Sequence, residues 1–172
     1  VQDITGSLSG LYSWRGGRRE SGIHFDFDQN SWNYGYMSAS VPGFGTDASF
    51  STWIRVNPAD ITSYYGLGLA YSYSPSGGMW YLMINNNGSL SNNYEDWYMG
   101  GYAYTSSGAL AWQADRWYNL VFTRGTSGMN IYRDGELVAS STSGLSATGT
   151  TGSLSMYIGA GYWYGGFDGD MD

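Results

Sequence analysis

Residues 116–141, RWYNLVFTRGTSGMNIYRDGELVASS, decide the fold. Within residues 116–124, Tyr118, Leu120 and Phe122 lie on one face of an extended chain. The opposite face carries Trp117, Asn119, Val121 and Thr123. A period of two is what a half-buried strand requires, because successive side chains point to opposite faces. Asp134-Gly135 then joins residues 129–133 to residues 137–141, and this dipeptide accepts the positive φ angles of a tight hairpin turn. The stretch therefore predicts three consecutive antiparallel strands.

The rest of the chain repeats this pattern at short intervals. We predict further strands at 23–27, 34–37, 50–56, 65–73, 79–84 and 154–158, and one strand with long flanking loops inside 92–108. We also expect an opening strand near Trp14. Pro58 is expected to end the strand at 50–56. No window shows a convincing period of 3.6. Closely spaced strands without helices predict an all-β fold, an antiparallel two-sheet β-sandwich of the jelly-roll kind.

Several segments resemble the laminin-G-like domains of the concanavalin A-like lectin/glucanase superfamily. They are DRWYNLVFTRGTSGMNIYRDGELVAS, LSMYIGAGYW, FDGDMD, HFDFDQNSWNYGYM and ASFSTWIRVNPA. The resemblance implies one sandwich domain over residues 1–172. In that family the FDGDMD-like segment is followed by a further strand, so the resemblance also implies that the final strand is absent here. It predicts an open sheet edge that another copy of the chain could complete, giving a homo-oligomer or filament.

Composition excludes several functions. The chain has 172 residues, enough to bury a core without cross-links, and it has no Cys. Its net charge is −7 and every basic residue is Arg, so a nucleic-acid partner is not expected. No apolar run is long enough to span a membrane. The polar, Tyr- and Gly-rich composition favours an extracellular, cell-surface or virion-surface location, and the start at Val1 suggests a processed chain or a fragment.

Catalytic apparatus is not expected. The single His, His24, lies in an alternating strand without a serine elbow nearby, so we interpret it as a surface strand residue. Glycosidases use paired carboxylates. The three Glu residues, Glu20, Glu95 and Glu136, are dispersed, and no E-x-D-x-x-E motif is present. The sequence therefore predicts a protein that is not an enzyme.

Two acidic clusters are candidate calcium ligands. Asp26, Asp28 and Asn30 have the D-x-D-x-N spacing of a calcium loop, and Asp168 and Asp170 repeat that spacing beside glycines. The resemblance raises the expectation, since laminin-G-like domains often bind calcium at one rim. The alternative interpretation is that these are ordinary turn and surface carboxylates.

Adjacent aromatic residues form a second candidate site. Neighbouring side chains of an extended segment point in opposite directions, so some residues of each group should be exposed. These residues are Trp80, Trp97, Tyr98, Tyr162, Trp163 and Tyr164. Exposed rings beside amides and carboxylates suit the faces of sugars, and they equally suit a protein interface. The sequence thus predicts a non-enzymatic recognition or assembly module that binds a glycan or a protein surface. A structural subunit of a filament or capsid decoration is the alternative, and a polysaccharide-acting glycosidase is the third.

Overall fold

A computed structural model describes residues 6–18, 21–28, 33–42, 47–61, 66–73, 78–96, 101–142, 153–161 and 165–172, with only the backbone of 78, 92–96 and 101–104. Sixteen strands and one short helix lie in these ranges. The strands are β1 Gly6–Ser9, β2 Tyr12–Gly16, β3 Ser21–Phe25, β4 Phe27–Asp28, β5 Asn33–Tyr34, β6 Tyr36–Pro42, β7 Ala48–Arg55, β8 Leu67–Tyr73, β9 Gly78–Ile84, β10 Leu90–Asp96, β11 Gly101–Ser106, β12 Tyr118–Gly125, β13 Gly128–Arg133, β14 Glu136–Ser141, β15 Ser153–Ile158 and β16 Gly169–Met171. The helix α1 is the single turn Pro58–Ile61, which begins after β7 has ended.

The strands form two seven-stranded antiparallel sheets. Sheet A has the order β1-β6-β15-β8-β9-β10-β11, and sheet B has the order β14-β13-β12-β7-β16-β3-β2. The strands β4 and β5 form a separate two-stranded pair. The predicted two-sheet sandwich is confirmed. Among the described residues, no helix is long and apolar enough to cross a bilayer.

The core lies between the inner faces of the two sheets. In β12 every second residue is buried, and Leu120 and Phe122 have no exposed surface. Ile54 of β7 and Leu69 of β8 are equally inaccessible. Each such side chain contributes about 1.5–3 kcal/mol relative to an exposed one, so the alternation read from the sequence is the main source of stability.

The predicted hairpin is confirmed in detail. Asp134 and Gly135 both have positive φ, 53° and 84°, as the turn between β13 and β14 requires. One oxygen of the Asp134 carboxylate accepts the backbone N–H of Asn119 at 2.9 Å, and the other accepts from Arg116 at 3.0 Å. The turn is therefore tied to the start of β12.

Two expectations from the sequence are corrected. The segment 92–108 contributes to two paired strands, β10 and β11, rather than one. Pairing of β10 with β9 and of β11 with β10 forms these strands, although their residues show no clean alternation. The opening region forms β1 and β2 in different sheets, separated by Gly10 with φ 77°. The FDGDMD segment forms β16 in the interior of sheet B, between β3 and β7, and the expected absence of a further strand after it stays a prediction.

Candidate functional site

Three adjacent strands of sheet B place charged side chains side by side. Ile23 and Phe25 of β3 face the core, so His24 between them faces outward. Arg55 of β7 faces outward for the same reason, next to the buried Ile54. The register of β16 sets Asp170 opposite both His24 and Arg55. Long-range strand pairing therefore brings together three groups that lie far apart in the sequence.

Asp170 is the centre of this group. Its side chain is 8% exposed, and burial of an unpaired carboxylate would be costly. Arg55 donates from Nε to one carboxylate oxygen at 2.8 Å, and Nδ1 of His24 lies 3.0 Å from the other. Both oxygens are thus engaged in charge-assisted hydrogen bonds. Asp170 fixes the positions of Arg55 and His24.

His24 extends the group towards two more carboxylates. Its Nε2 atom lies 3.0 Å from the Asp26 carboxylate, which is 53% exposed. One ligand atom from each of His24, Asp26 and Asp168 lies within 4.8 Å of the others. Burial raises the pKa of Asp168, and the charges of Asp60 and Asp26 raise it further, while His24 and a hydrogen bond from the Phe27 backbone oppose them. Asp168 therefore takes up a proton more readily than a free aspartate.

These residues line a cleft at the rim of the sandwich, which we call the rim cleft. Its volume is about 390 Å³. The lining residues are Arg15, His24, Arg55, Val56, Asn57, Asp60, Ala114, Asp115, Asp168, Gly169 and Asp170. The Arg55 guanidinium also lies over the Trp117 ring, 5.2 Å from its centroid. The rim cleft offers donors and acceptors of both charges within a small volume, which suits a polar ligand with several hydroxyl groups.

The predicted calcium ligands reach different places. Asp26 and Asp168 come together, whereas both oxygens of Asp170 are occupied by Arg55 and His24. Asp28 lies in β4 opposite Asn33, and Asn30 lies outside the described residues. Calcium uses about six to eight oxygen ligands, and the described group supplies two carboxylates and an imidazole. A calcium ion would need further ligands, so the calcium site stays a prediction.

The predicted aromatic site is corrected at Trp80. The side chain of Trp80 is 4% exposed and its ring meets the Phe50 ring edge-on in the core. Its neighbours Met79 and Tyr81 are buried too, because the outer face of β9 carries a second apolar cluster that includes Met83. The expectation that some of residues 79–81 are exposed is therefore wrong.

The other five predicted aromatic residues lie outside the described part of the chain, so their role stays a prediction. They are Trp97, Tyr98, Tyr162, Trp163 and Tyr164. Trp14, which the sequence placed in an opening strand, is 64% exposed.

The sequence patterns do not reveal the part that His24, Arg55 and Arg15 play in the rim cleft. They predict only a surface strand position for His24. His24 and Asp26 share a face of one extended segment, which is a local signal. Their approach to Asp168 and Asp170 depends on a pairing across 146 residues, and no local pattern reports that.

Comparison with known families agrees with this architecture. The laminin G family model of the concanavalin A-like lectin/glucanases superfamily matches residues 28–172. The chain belongs to this superfamily. No curated protein matches this laminin G-like chain.

Solved structures resemble this laminin G-like sandwich at low sequence identity. Domain 4 of AbnA, an extracellular GH43 arabinanase of Geobacillus stearothermophilus in complex with arabinotriose, has a TM-score of 0.67 and 13% identity, over 97% of this chain and 79% of that chain. The enzymatically active domain of tailspike protein 2 of bacteriophage CBA120 has a TM-score of 0.60 and 11% identity, over 99% of this chain and 28% of that chain. Mouse laminin α1 domains LG4-5 have a TM-score of 0.55 and 16% identity, over 87% of this chain and 39% of that chain. At these identities the likeness is one of fold.

Proposed function

We propose that this domain is a non-enzymatic glycan-recognition module that binds its ligand in the rim cleft, on an extracellular, cell-surface or virion-surface protein. The observation that carries the proposal is the lining of the rim cleft. Asp168, Asp60 and Asn57 supply acceptors, and Arg15 and Arg55 supply donors. Sugar hydroxyls both donate and accept hydrogen bonds, so a lining of this mixed kind suits them.

The charges of the rim cleft favour an uncharged ligand. Arg55 is already paired with Asp170, and His24 is held between two carboxylates. A strongly anionic ligand would meet Asp60 and Asp168, whereas a polycation would meet Arg15 and Arg55. Neutral hydroxyl groups avoid both conflicts.

The comparisons support the proposal by analogy. Domain 4 of AbnA, the structure with the TM-score of 0.67, was solved in complex with arabinotriose. A sandwich of this shape can therefore hold a short oligosaccharide. The extracellular arabinanase and the phage tailspike also support a location outside the cell or on a virion.

The test is binding to a panel of soluble and insoluble polysaccharides, with affinity measured by calorimetry for every glycan retained. We expect Arg15→Ala and Asp168→Ala to weaken binding by at least about tenfold, the effect of losing a hydrogen bond worth about 1.4 kcal/mol. Leu137→Ala, on the far end of sheet B and 55% exposed, is the control that leaves binding unchanged. Trp97→Ala and Trp163→Ala test the predicted aromatic contacts. If Arg15→Ala and Asp168→Ala bind as tightly as the control Leu137→Ala, the rim cleft is not the binding site.

Glycoside hydrolysis is the second candidate function. The observation that favours it is the close approach of Asp26 and Asp168, within 4.8 Å, together with the raised pKa of Asp168, since hydrolases use one protonated and one ionised carboxyl group. Two observations argue against hydrolysis: the Asp26 side chain is half exposed, and its carboxylate is already paired with His24. Release of reducing sugar that disappears in Asp168→Asn would establish hydrolysis and displace the binding proposal.

Self-assembly is the alternative in which aromatic surfaces are buried between copies. Sedimentation velocity across a wide concentration range tests it. A species that stays monomeric at the highest concentration would contradict a filament or capsid role.

A further inference from the structure

The side chains of His24, Asp26 and Asp168 supply fewer and different ligands than calcium takes, and they match another class of metal ion. We call these three residues the His-Asp-Asp group. One ligand atom from each lies within 4.8 Å of the others. Calcium binds about six to eight oxygen ligands. One imidazole nitrogen with two carboxylates is instead a ligand set of zinc and similar divalent transition metals.

His24 presents one particular ring nitrogen to the group. Its Nδ1 atom lies 3.0 Å from one carboxylate oxygen of Asp170, and Arg55 donates to the other oxygen at 2.8 Å. The Asp170 side chain is 8% exposed, so the contact is shielded from water. Histidines that bind metals have this arrangement, in which the ring nitrogen away from the ion donates to a carboxylate that fixes the ring. Nε2 is therefore the nitrogen that remains for an ion, and it lies beside Asp26.

The spacing of the ligand atoms suits a small ion. Zinc binds nitrogen and carboxylate oxygen at about 2.0–2.2 Å, so two of its tetrahedral ligands lie about 3.3–3.5 Å apart. Nε2 of His24 and Oδ1 of Asp26 are 3.0 Å apart, slightly closer than that. Asp26 is 53% exposed, so its side chain has room to turn by the small amount needed. The Asp168 carboxylate lies within 4.8 Å, and a side-chain rotation brings it to the same spacing.

The charges around the group favour a cation. The Asp168 carboxylate is repelled by those of Asp60 and Asp26. Arg55 is already paired with Asp170, so its charge is directed away from these three carboxylates. A divalent ion takes the place of the proton between the imidazole and Asp26, and it brings two positive charges to side chains that otherwise repel one another.

We propose that the His-Asp-Asp group binds one divalent transition-metal ion of the zinc type, through Nε2 of His24 and the carboxylates of Asp26 and Asp168. Asp170 is a positioning residue outside the coordination shell, because Arg55 and His24 engage both of its oxygens. Three protein ligands leave a coordination position for water. Since His24 and Asp168 line the rim cleft, the ion lies in its wall. Metal binding at this group does not depend on a glycan.

The first test is calorimetric titration of the full chain with Zn²⁺ and, separately, with Ca²⁺, after treatment with a chelator. We expect one equivalent of Zn²⁺ to bind at least about tenfold more tightly than Ca²⁺, because imidazole is a ligand for zinc whereas calcium takes oxygen. Zn²⁺ should also raise Tm, since an ion that binds only the folded state stabilises it. Saturable Ca²⁺ binding as tight as that of Zn²⁺, or the absence of saturable Zn²⁺ binding, would overturn the proposal.

Single substitutions locate the ion. We expect His24→Ala, Asp26→Asn and Asp168→Asn each to weaken Zn²⁺ binding by about tenfold or more, as the loss of a ligand requires. Asp28→Asn is the matched control, because it removes the same charge two residues from Asp26 but lies outside the group, and it should leave Zn²⁺ binding nearly unchanged. Asp26 is half exposed, so Asp26→Asn folds whether or not His24→Ala does. If Asp26→Asn binds Zn²⁺ as tightly as Asp28→Asn, the ion is bound elsewhere and the proposal is wrong.

The ring nitrogens of His24 report the ligand directly. His24 is the only histidine of the chain, so its ¹⁵N signals are identified without assignment. Zn²⁺ should shift the Nε2 resonance far more than that of Nδ1, because Nδ1 keeps its hydrogen bond with Asp170. A larger shift at Nδ1, or no shift at either nitrogen while Zn²⁺ binds, would exclude the proposed ligand set.

Discussion

Replacement of Asp170 by Ala tests the arrangement on which the rim cleft depends. Asp170→Ala removes two hydrogen bonds at once, to Arg55 at 2.8 Å and to His24 at 3.0 Å. It also leaves His24, only 13% exposed, with one of its ring nitrogens unpaired. We expect the variant to fold, to be less stable, and to lose the fixed orientation of Arg55.

The magnitude follows from the exposure of the three groups. A hydrogen bond to a charged partner contributes about 1.5–3 kcal/mol when buried. The His24 bond is well shielded from water, whereas the Arg55 side chain is 31% exposed, so part of its contribution is regained by hydration. A total near 3 kcal/mol results, within the range of about 3–5 kcal/mol for breaking a buried pair. For a chain of this size that lowers Tm by about 6–12 °C. Asp170→Asn keeps one acceptor and should lose about half as much.

The assay is urea unfolding followed by tryptophan fluorescence, with Arg116→Ala as the control. Arg116 pairs with Asp134 at a similar distance, 3.0 Å, but the two side chains are 52% and 31% exposed. Its loss should cost less than about 1 kcal/mol. If Asp170→Ala costs no more than Arg116→Ala, the argument from burial is wrong.

Three further predictions concern separate parts of the fold. Because the pKa of Asp168 is raised, the folded state binds its proton more tightly, so the free energy of unfolding falls as pH rises above the ordinary value of 3.8. Asp168→Asn should remove this fall and stabilise the protein at neutral pH, and a pH series of Tm without that change would refute it. Gly159→Ala should destabilise by roughly 1–3 kcal/mol more than Gly135→Ala, since both have φ near the left-handed region but only at Gly159 does a Cβ meet an aromatic ring, at 2.8 Å; equal losses by calorimetry would argue against the clash. Tyr118→Phe should cost about 1 kcal/mol in urea unfolding, because the hydroxyl accepts the Gln113 N–H at 2.8 Å, and a neutral result would exclude that bond.

Two features of this protein could be read directly from the residues. The alternation in residues 116–124 gives a strand whichever partner it finds, because side-chain direction in extended backbone depends only on position along the chain. The turn at Asp134-Gly135 is local in the same sense, since its φ angles depend on the two residues that occupy it. The fold class therefore followed from short-range patterns.

The site required the tertiary structure. His24, Arg55 and Asp170 each follow an unremarkable strand pattern, and only the insertion of β16 between β3 and β7 makes them neighbours. The burial of Met79 and Tyr81 depends likewise on tertiary packing, since they form with Met83 a second apolar cluster on the face of β9 opposite to Trp80 and the core. Periodicity determines which way a side chain points. What it meets there depends on strand order, which is set by the packing of the whole chain.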